Sequence, residues 1–166
     1  MKRVSANSWR SLMKRIGHPS TTYFRRNYVR RGTHEFERFL ATGAIERARE
    51  VRSGMEAEIL VQIAHVLLKI SLKELLAALG LPRSKVERKI RTGARLSADE
   101  SVRAARALIV FEQASDVFDD DGLGADWLWR PNLELGSNRP LNMLDTKKGF
   151  DRVRDLLLRL EFGIDV

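Results

Sequence analysis

The sequence predicts an all-α protein, and three observations carry this prediction. Serines followed three residues later by glutamate, the pattern of a helical capping box, occur at Ser53/Glu56, Ser71/Glu74, Ser84/Glu87 and Ser97/Glu100. Apolar residues recur with a period close to 3.6 at residues 59–70, at residues 102–111 and, as the clearest stripe, at Val153, Leu156, Leu157, Leu160 and Ile164. Signals for β-strands are nearly absent, because the only candidate, residues 23–29, is interrupted by Arg and Asn. We therefore expect helices packed on one another.

Length and composition exclude several classes of protein. The chain has 166 residues and no cysteine, so it has room for one domain, or for two small ones that share or split a core. Disulfide frameworks, thiol catalysis and cysteine-type zinc sites are excluded. No apolar run approaches the ~18 residues of a membrane span, and the basic N-terminus lacks the apolar stretch of a signal peptide. We expect a soluble cytoplasmic protein with no membrane contact.

The net charge of +8 is distributed unevenly along the chain. It amounts to +8 for residues 1–50, +5 for residues 51–96 and −5 for residues 97–166. A basic front and an acidic back indicate one surface for a polyanion and a second surface for another partner. The alternative is that folding redistributes a merely linear asymmetry.

Residues 1–50 are predicted to form a basic, partly helical N-terminal arm. Trp9 opens a stretch with helical spacing, and a second short helix is expected between Thr33 and Gly43. Between them, aromatic residues alternate with arginines over residues 23–31. Such a mixture is typical of nucleic-acid binding, because phosphates take the charge and bases stack on the rings. The same aromatic residues could instead anchor the arm on the rest of the protein.

Residues 51–95 are predicted to be a DNA-binding domain, because residues 71–90 have the layout of a helix-turn-helix. A helix over residues 72–79 precedes a three-residue turn, and a second helix follows from residue 83 to about residue 91. The second helix of this motif enters the major groove, where side chains reach base edges and phosphates. The predicted DNA-binding residues are Arg83, Ser84, Lys85, Glu87, Arg88, Lys89, Arg91 and Arg95. A solvated basic helix face is the alternative.

The last third of the chain contains a dense run of fixed spacings. It opens with Leu-Ser-x-x-Glu-Ser, continues through Trp-Leu-x-x-Pro-Asn, Leu-Gly and Arg-Pro-Leu-x-x-Leu-Asp-Thr-x-x-Gly, and ends on Glu-Phe-Gly. The residues are Leu96, Ser97, Glu100, Ser101, Trp127, Leu128, Pro131, Asn132, Leu135, Gly136, Arg139, Pro140, Leu141, Leu144, Asp145, Thr146, Gly149, Glu161, Phe162 and Gly163. Over residues 96–166 this pattern resembles the toxin-binding domain of Xre/MbcA/ParS-type antitoxins. The preceding helix-turn-helix resembles the DNA-binding part of the same family.

The resemblance implies a two-part antitoxin of a type II toxin–antitoxin system, without catalytic activity or a cofactor. Members of the family pair with RES-domain toxins, which act on NAD or use it to modify proteins. Their C-terminal domain covers the entrance to the toxin's active site, and their helix-turn-helix represses the shared operon. The expected partners are thus a cognate RES-domain toxin and operator DNA. A homodimer within a larger toxin–antitoxin complex is expected, since such repressors commonly read two half-sites.

Most motif residues are predicted to build this domain rather than to contact the toxin. Trp127 and the motif leucines should be buried, and Asp145 or Thr146 should cap the final helix. The contacts are expected where the chain leaves that helix, because an acidic and apolar ending suits a pocket made for the phosphates of NAD. The predicted toxin-binding residues are Arg159, Glu161, Phe162, Gly163, Ile164, Asp165 and Val166. An ordinary frayed terminus is the alternative.

Catalytic and metal sites are not predicted. The acidic run at residues 119–122 is similar to a calcium loop, but Val117 would hold its first ligand position and cannot coordinate. A solvated junction between helices is the simpler interpretation. No nucleophile–base pairing or glycine-rich phosphate loop is present. The three histidines of the chain, His18, His34 and His65, lack the spacing of metal ligands.

Two other functions stay open on the sequence alone. The chain could be a stand-alone transcriptional regulator without a toxin partner. It could also be an accessory nucleic-acid-binding protein that acts through the basic segment at residues 23–31. Deletion of residues 1–50 would abolish nucleic-acid binding in the second case and spare specific operator binding if the helix-turn-helix carries the function.

Overall fold

The computed structural model describes residues 35–163, which contain helices and turns and no β-strand. The all-α prediction is therefore confirmed for this part of the chain. The predicted helix around Trp9, the segment at residues 23–31, two of the histidines and residues 164–166 lie outside the described residues. The α-helices are α1 Glu35–Ala41, α2 Ala44–Ser53, α3 Ile59–Gln62, α4 Leu72–Ala78, α5 Arg83–Thr92, α6 Ala98–Phe118, α7 Asp121–Trp129 and α8 Lys147–Phe162. Within residues 35–163, none of these helices has the length and apolarity to cross a bilayer.

Two of the four predicted capping boxes begin helices. The Ser71 hydroxyl accepts from the Glu74 amide at the start of α4, and Ser97 and Glu100 form the same reciprocal pair at the start of α6. In each box the glutamate carboxylate also accepts from the backbone N–H of the serine, so two unsatisfied donors of the first turn are paired.

The other two capping-box predictions are wrong. Ser53 is the last residue of α2, and its hydroxyl donates to the Glu50 carbonyl at 2.9 Å. Ser84 lies inside α5, whose N-cap is Pro82. Proline has a φ fixed near the helical value and no N–H to satisfy, so it is tolerated at a helix start two residues earlier than the one Ser84 would give.

The long helix α6 is the element on which the others pack. Helices α1, α2, α7 and α8 all contact it, and one apolar cluster runs from Phe36 in α1 to Leu160 in α8. The motif residues predicted to be buried are buried: Trp127, Leu128, Leu135, Leu141 and Leu144. Because α6 contributes to the packing on both sides of residue 96, the two predicted domains share a single core. The predicted boundary at residue 50 lies inside α2.

A short irregular segment precedes the predicted helix-turn-helix. Helix α3 continues as a π-helical turn, Ile63–Leu67, and the chain then reverses at Lys69, which has a φ of 55°. The wider turn buries both Ile63 and Leu67, while His65 is exposed to solvent. The apolar spacing through Ile70 had predicted one uninterrupted helix, so the π-turn corrects that expectation.

Close backbone packing fixes the start of α8. Two 3-10 turns, Leu133–Leu135 and Pro140–Met143, lead to Thr146, whose hydroxyl accepts from the Gly149 amide at 3.1 Å. A Cβ atom at Gly149 would lie 2.0 Å from the Met143 carbonyl oxygen, so only glycine fits. The prediction that Asp145 or Thr146 caps this helix is confirmed for Thr146. The predicted exit from the helix at Glu161 is wrong, because α8 continues through Phe162 and ends at Gly163.

Candidate macromolecular interfaces

Helices α4 and α5 form the predicted hairpin around a shared apolar interior. Leu75, Leu76, Leu79 and Val86 are buried, with Ile90 partly buried. Gly80, with a φ of 61°, turns the chain out of α4, and the amide of the following residue, at position 81, donates to the Leu76 carbonyl at 2.8 Å. The two helices and three-residue turn that the sequence predicted are thus present.

Arg103 of α6 fixes the turn of this hairpin. Its guanidinium Nη1 donates to the carbonyls of Leu79 and Gly80 at 3.1 and 2.8 Å, and its Nη2 lies 2.9 Å from the Asp99 carboxylate. A cation at the C-terminal carbonyls of α4 is also favoured by the helix dipole. Helix α6 therefore holds the hairpin by its turn.

Four of the predicted DNA-binding cations of the α5 region form internal ion pairs: Arg83, Lys85, Lys89 and Arg95. Arg83 contacts Glu87, one helical turn further on, at 2.6 Å. Lys89 donates to Glu100 of α6 at 2.5 Å. Arg95 lies beyond α5, 3.1 Å from the Glu56 carboxylate, and also donates to the Gly54 carbonyl.

Glu100 is a buried carboxylate, with only 3% of its surface exposed. Burial alone would raise the pKa of Glu100, but hydrogen bonds from Lys89 and the Ser97 amide, together with the charges of Lys89 and Lys85, hold this pKa below its ordinary value. The carboxylate is thus an anion that links the start of α6 to the flank of α5. Lys85 lies 3.7 Å from its second oxygen and is half exposed.

The outward face of α5 is formed by Ser84, Arg88 and Arg91. These residues are spaced by four and three positions, so they share one side of the helix, opposite the buried Val86. All three are exposed, and within residues 35–163 neither arginine of this face forms an ion pair. Such a face can donate to phosphate oxygens and to guanine edges.

A second exposed surface lies at the end of α8. The helix buries Val153, Leu156, Leu157 and Leu160, as the apolar spacing predicted. Phe162 is 70% exposed and Leu158 is 39% exposed. Since they are four residues apart, they lie on the same side of the helix. We call this pair the α8 apolar surface.

The predicted toxin-binding residues fall around this surface. Glu161, Phe162 and Gly163 are exposed, and Arg159 is half-buried. Ile164, Asp165 and Val166 lie outside the described residues. Sequence reasoning missed Leu158, although its position off the buried stripe of α8 is a signal that could have found it.

Two arginines, one of them the motif residue Arg139, stabilise the segment that leads to α8. The Arg139 guanidinium stacks over the Trp129 ring at 4.3 Å from its centroid. Arg106 of α6 donates to the carbonyls of Leu144 and Asp145 at 3.2 and 3.0 Å. These contacts agree with the prediction that most of the motif builds the domain.

The acidic run after α6 is a helix junction, as expected. Asp119 has a left-handed backbone with a φ of 52°, and Asp120 caps α7 by accepting from the Leu123 amide at 2.9 Å. In the part of the chain that the structure describes, no group of three or more His, Cys, Asp or Glu residues is arranged to hold a metal ion.

The described residues form an all-helical protein with a helix-turn-helix hairpin and a C-terminal helix that exposes apolar side chains. The model of one family, the Xre/MbcA/ParS antitoxin C-terminal toxin-binding domain, matches residues 113–163. The matched residues run from the second half of α6 to Gly163 and include the α8 apolar surface.

Relatives extend this similarity further along the chain. An "Antitoxin Xre" of Yersinia enterocolitica is 32% identical over 115 residues, which is 69% of this chain and 77% of that protein. An "Antitoxin Xre" of Photorhabdus laumondii is 36% identical over 92 residues, 55% of this chain and 62% of that protein. A third "Antitoxin Xre", from Pseudomonas putida, is 29% identical over 83 residues, 50% of this chain and 52% of that protein. The chain belongs to the Xre antitoxin family.

Proposed function

We propose that this chain is the antitoxin of a type II toxin–antitoxin pair and that it neutralises a RES-domain toxin by covering its active-site entrance. The observation that carries the proposal is the α8 apolar surface, which is exposed within the residues matched by the toxin-binding family. The antitoxin acts in the cytoplasm by binding, with no catalytic step of its own. The membership of the chain in the Xre antitoxin family supports this function.

Binding to the toxin combines apolar anchors with negative charge. Phe162 and Leu158 lose their exposed area when a partner covers them, and burying a phenylalanine side chain contributes about 2 kcal/mol. Glu161, next to them, adds a carboxylate that complements a basic pocket for the phosphates of NAD. The predicted contact residues Ile164, Asp165 and Val166 follow in the sequence and add one further carboxylate, that of Asp165.

The same chain represses its operon through α5. The outward face formed by Ser84, Arg88 and Arg91 supports this part of the proposal, because exposed arginines on the second helix of the hairpin can reach bases and phosphates. Two copies of the chain would read two half-sites, so a homodimer is the expected binding unit.

Co-expression with the product of the neighbouring gene tests the proposal. The full chain should prevent toxicity and co-purify with that product. A chain that lacks residues 161–166 should release toxicity while it keeps specific binding to DNA from upstream of its gene, as measured by fluorescence anisotropy. The upstream DNA and a scrambled duplex of equal length separate operator recognition from binding to any polyanion.

Two outcomes would contradict the proposal. If the truncated chain still neutralises the toxin fully, the end of α8 does not cover the active site. If the full chain binds the upstream DNA specifically but neither binds nor neutralises the neighbouring product, a stand-alone regulator is the better description.

A further inference from the structure

The start of α6 and the flank of α5 meet at a buried ion cluster. Glu100 accepts from Lys89 Nζ at 2.5 Å, and Lys85 Nζ lies 3.7 Å from its other oxygen. The side chain of Lys89 is only 16% exposed. A carboxylate of α6 therefore holds Lys89 by a hydrogen bond and attracts Lys85, whose side chain is 53% exposed, by its charge.

The position of these lysines on α5 determines which basic side chains are free to contact DNA. Lys85 and Lys89 are one turn apart and line the side of the helix that faces α6, whereas Arg88 and Arg91 point to solvent. Lysine is a mobile point charge that binds any phosphate, while arginine can make a planar bidentate contact to guanine. Restraint of the lysines thus favours sequence-dependent contacts over sequence-independent ones.

We propose that Glu100 is a positioning residue for DNA recognition, which keeps Lys89 and Lys85 on the flank of α5 so that the arginine face meets the duplex. The inference rests on the proposed DNA-binding function and adds a determinant of specificity that lies outside the hairpin. Glu100 also closes the capping box of α6 with Ser97, so one carboxylate fixes both the start of α6 and the direction of α5.

Glu100→Gln tests the inference with DNA affinities measured between 50 and 200 mM salt. The amide keeps the size of the side chain and loses the charge that holds the lysines. Each additional phosphate contact steepens the dependence of log affinity on log salt by about 0.9. We expect a steeper slope on scrambled DNA by about 1 to 2, tighter scrambled binding, and a preference for upstream DNA that falls about 10-fold.

Glu112→Gln is the matched control. It changes the net charge by the same amount on the same helix, but Glu112 pairs with Arg47 of α2 at 3.3 Å and lies about 18 Å further along α6 than Glu100. Its salt slope and its preference for upstream DNA should equal those of the unaltered chain. An equal shift in both variants would show that net charge alone is responsible and would overturn the inference.

A second variant keeps the inference falsifiable if Glu100→Gln does not fold. Lys89→Met removes a charge that is already paired with Glu100 and, on this inference, does not contact phosphate. The salt dependence of DNA binding by this variant should therefore stay within experimental error of the unaltered chain. Arg88→Met should lower the slope by about 0.9 if it loses one phosphate contact. A slope that falls equally in Lys89→Met would show that this lysine contacts phosphate, which would overturn the inference.

The two levels of the proposal fail differently. If the unaltered chain shows no preference for the upstream DNA, the operator-binding function fails, and the role of Glu100 with it. If the unaltered chain shows the preference and Glu100→Gln retains both preference and slope, only the positioning role is wrong. Thermal unfolding of each variant establishes that the compared proteins are folded.

Discussion

The second helix of the hairpin, α5, and the last helix, α8, present opposite kinds of surface. On α5, cations on both flanks are paired internally, and the exposed middle is basic. On α8, the charged residues surround an exposed phenylalanine and an exposed leucine. A duplex offers phosphates and base edges, whereas a protein pocket offers apolar area. The difference shows how one small core can present two surfaces that do not compete for the same partner.

The start of α8 is packed more closely than the C-terminal ends of the two helices. An added Cβ would meet no atom within 4 Å at Gly93, after α5, or at Gly163, after α8, but at Gly149 it would meet the Met143 carbonyl. The start of α8 therefore depends on close backbone contact, and the ends of α5 and α8 do not. Substitutions at these glycines should have unequal effects.

The largest effect is expected from Gly149→Ala, which would disrupt the packing at the start of α8. The new methyl group would lie 2.0 Å from the Met143 carbonyl oxygen, so the start of α8 must shift. We expect a loss of about 3 kcal/mol in the free energy of unfolding. Urea denaturation provides the measurement.

Gly93→Ala is its control at the end of α5. The methyl group finds space there, and only the left-handed backbone, with a φ of 64°, penalises it, by about 1 kcal/mol. Equal losses for the two variants would contradict the difference in packing.

The next effect is expected from Phe162→Ala, at the proposed toxin contact. We expect the toxin affinity to fall about 30-fold, since an aromatic anchor contributes about 2 kcal/mol when it is buried by a partner. The melting temperature should change little, because the ring is 70% exposed in the free chain. Titration calorimetry and thermal unfolding separate the two quantities.

Ile45→Ala in α2 is the matched control for that prediction. Ile45 is 65% exposed and apolar, but it lies outside the residues matched by the toxin-binding family. Its substitution should leave toxin affinity unchanged. If both variants bind the toxin as tightly as the unaltered chain, the α8 apolar surface is not the contact.

On the DNA side, Arg88→Ala should weaken operator binding by about 1 to 3 kcal/mol. Arg83→Ala should also relax the sequence preference, with a smaller loss, because Arg83 already pairs with Glu87. Arg52 of α2 is an exposed cation outside the hairpin, and Arg52→Ala controls for the loss of one charge. A weakening that is equal on operator and scrambled DNA would show that the altered arginine contacts only phosphate.

The smallest effect is expected from pH, through the buried ion cluster. The pKa of Glu100 is lowered in the folded chain, so its ionised form stabilises the fold above the ordinary pKa of glutamate. This contribution is lost as pH falls through the folded pKa. The difference in unfolding free energy between the unaltered chain and Glu100→Gln should therefore shrink from pH 7 to pH 3. A constant difference would show that the charge of Glu100 contributes nothing to stability.

The sequence predicted what depends on nearest neighbours along the chain. Spacing alone placed Leu156 and Leu160 in the core, and the Ser71 and Ser97 boxes began their helices. The same local pattern at Ser84 was misleading, because Pro82 supplies an earlier helix start.

Contacts between distant residues were beyond the reach of local patterns. Lys89 and Glu100 are eleven positions apart, and nothing in their spacing shows that they meet at the crossing of α5 and α6. The sequence therefore predicted a basic helix, but it did not separate the cations that face solvent from those that are held internally.

Helix α6 has a consequence for recombination among relatives. Through Arg103 it holds the hairpin turn, and through Arg106 it holds the carbonyls that precede α8. A chimera joined before Leu96 would give Arg103 the hairpin carbonyls of the other parent, whereas a joint between Arg103 and Arg106 leaves each arginine with its own acceptors. We therefore expect folded hybrids from crossover points between these two arginines, so that the second part of α6 and the whole of α8 are exchanged together.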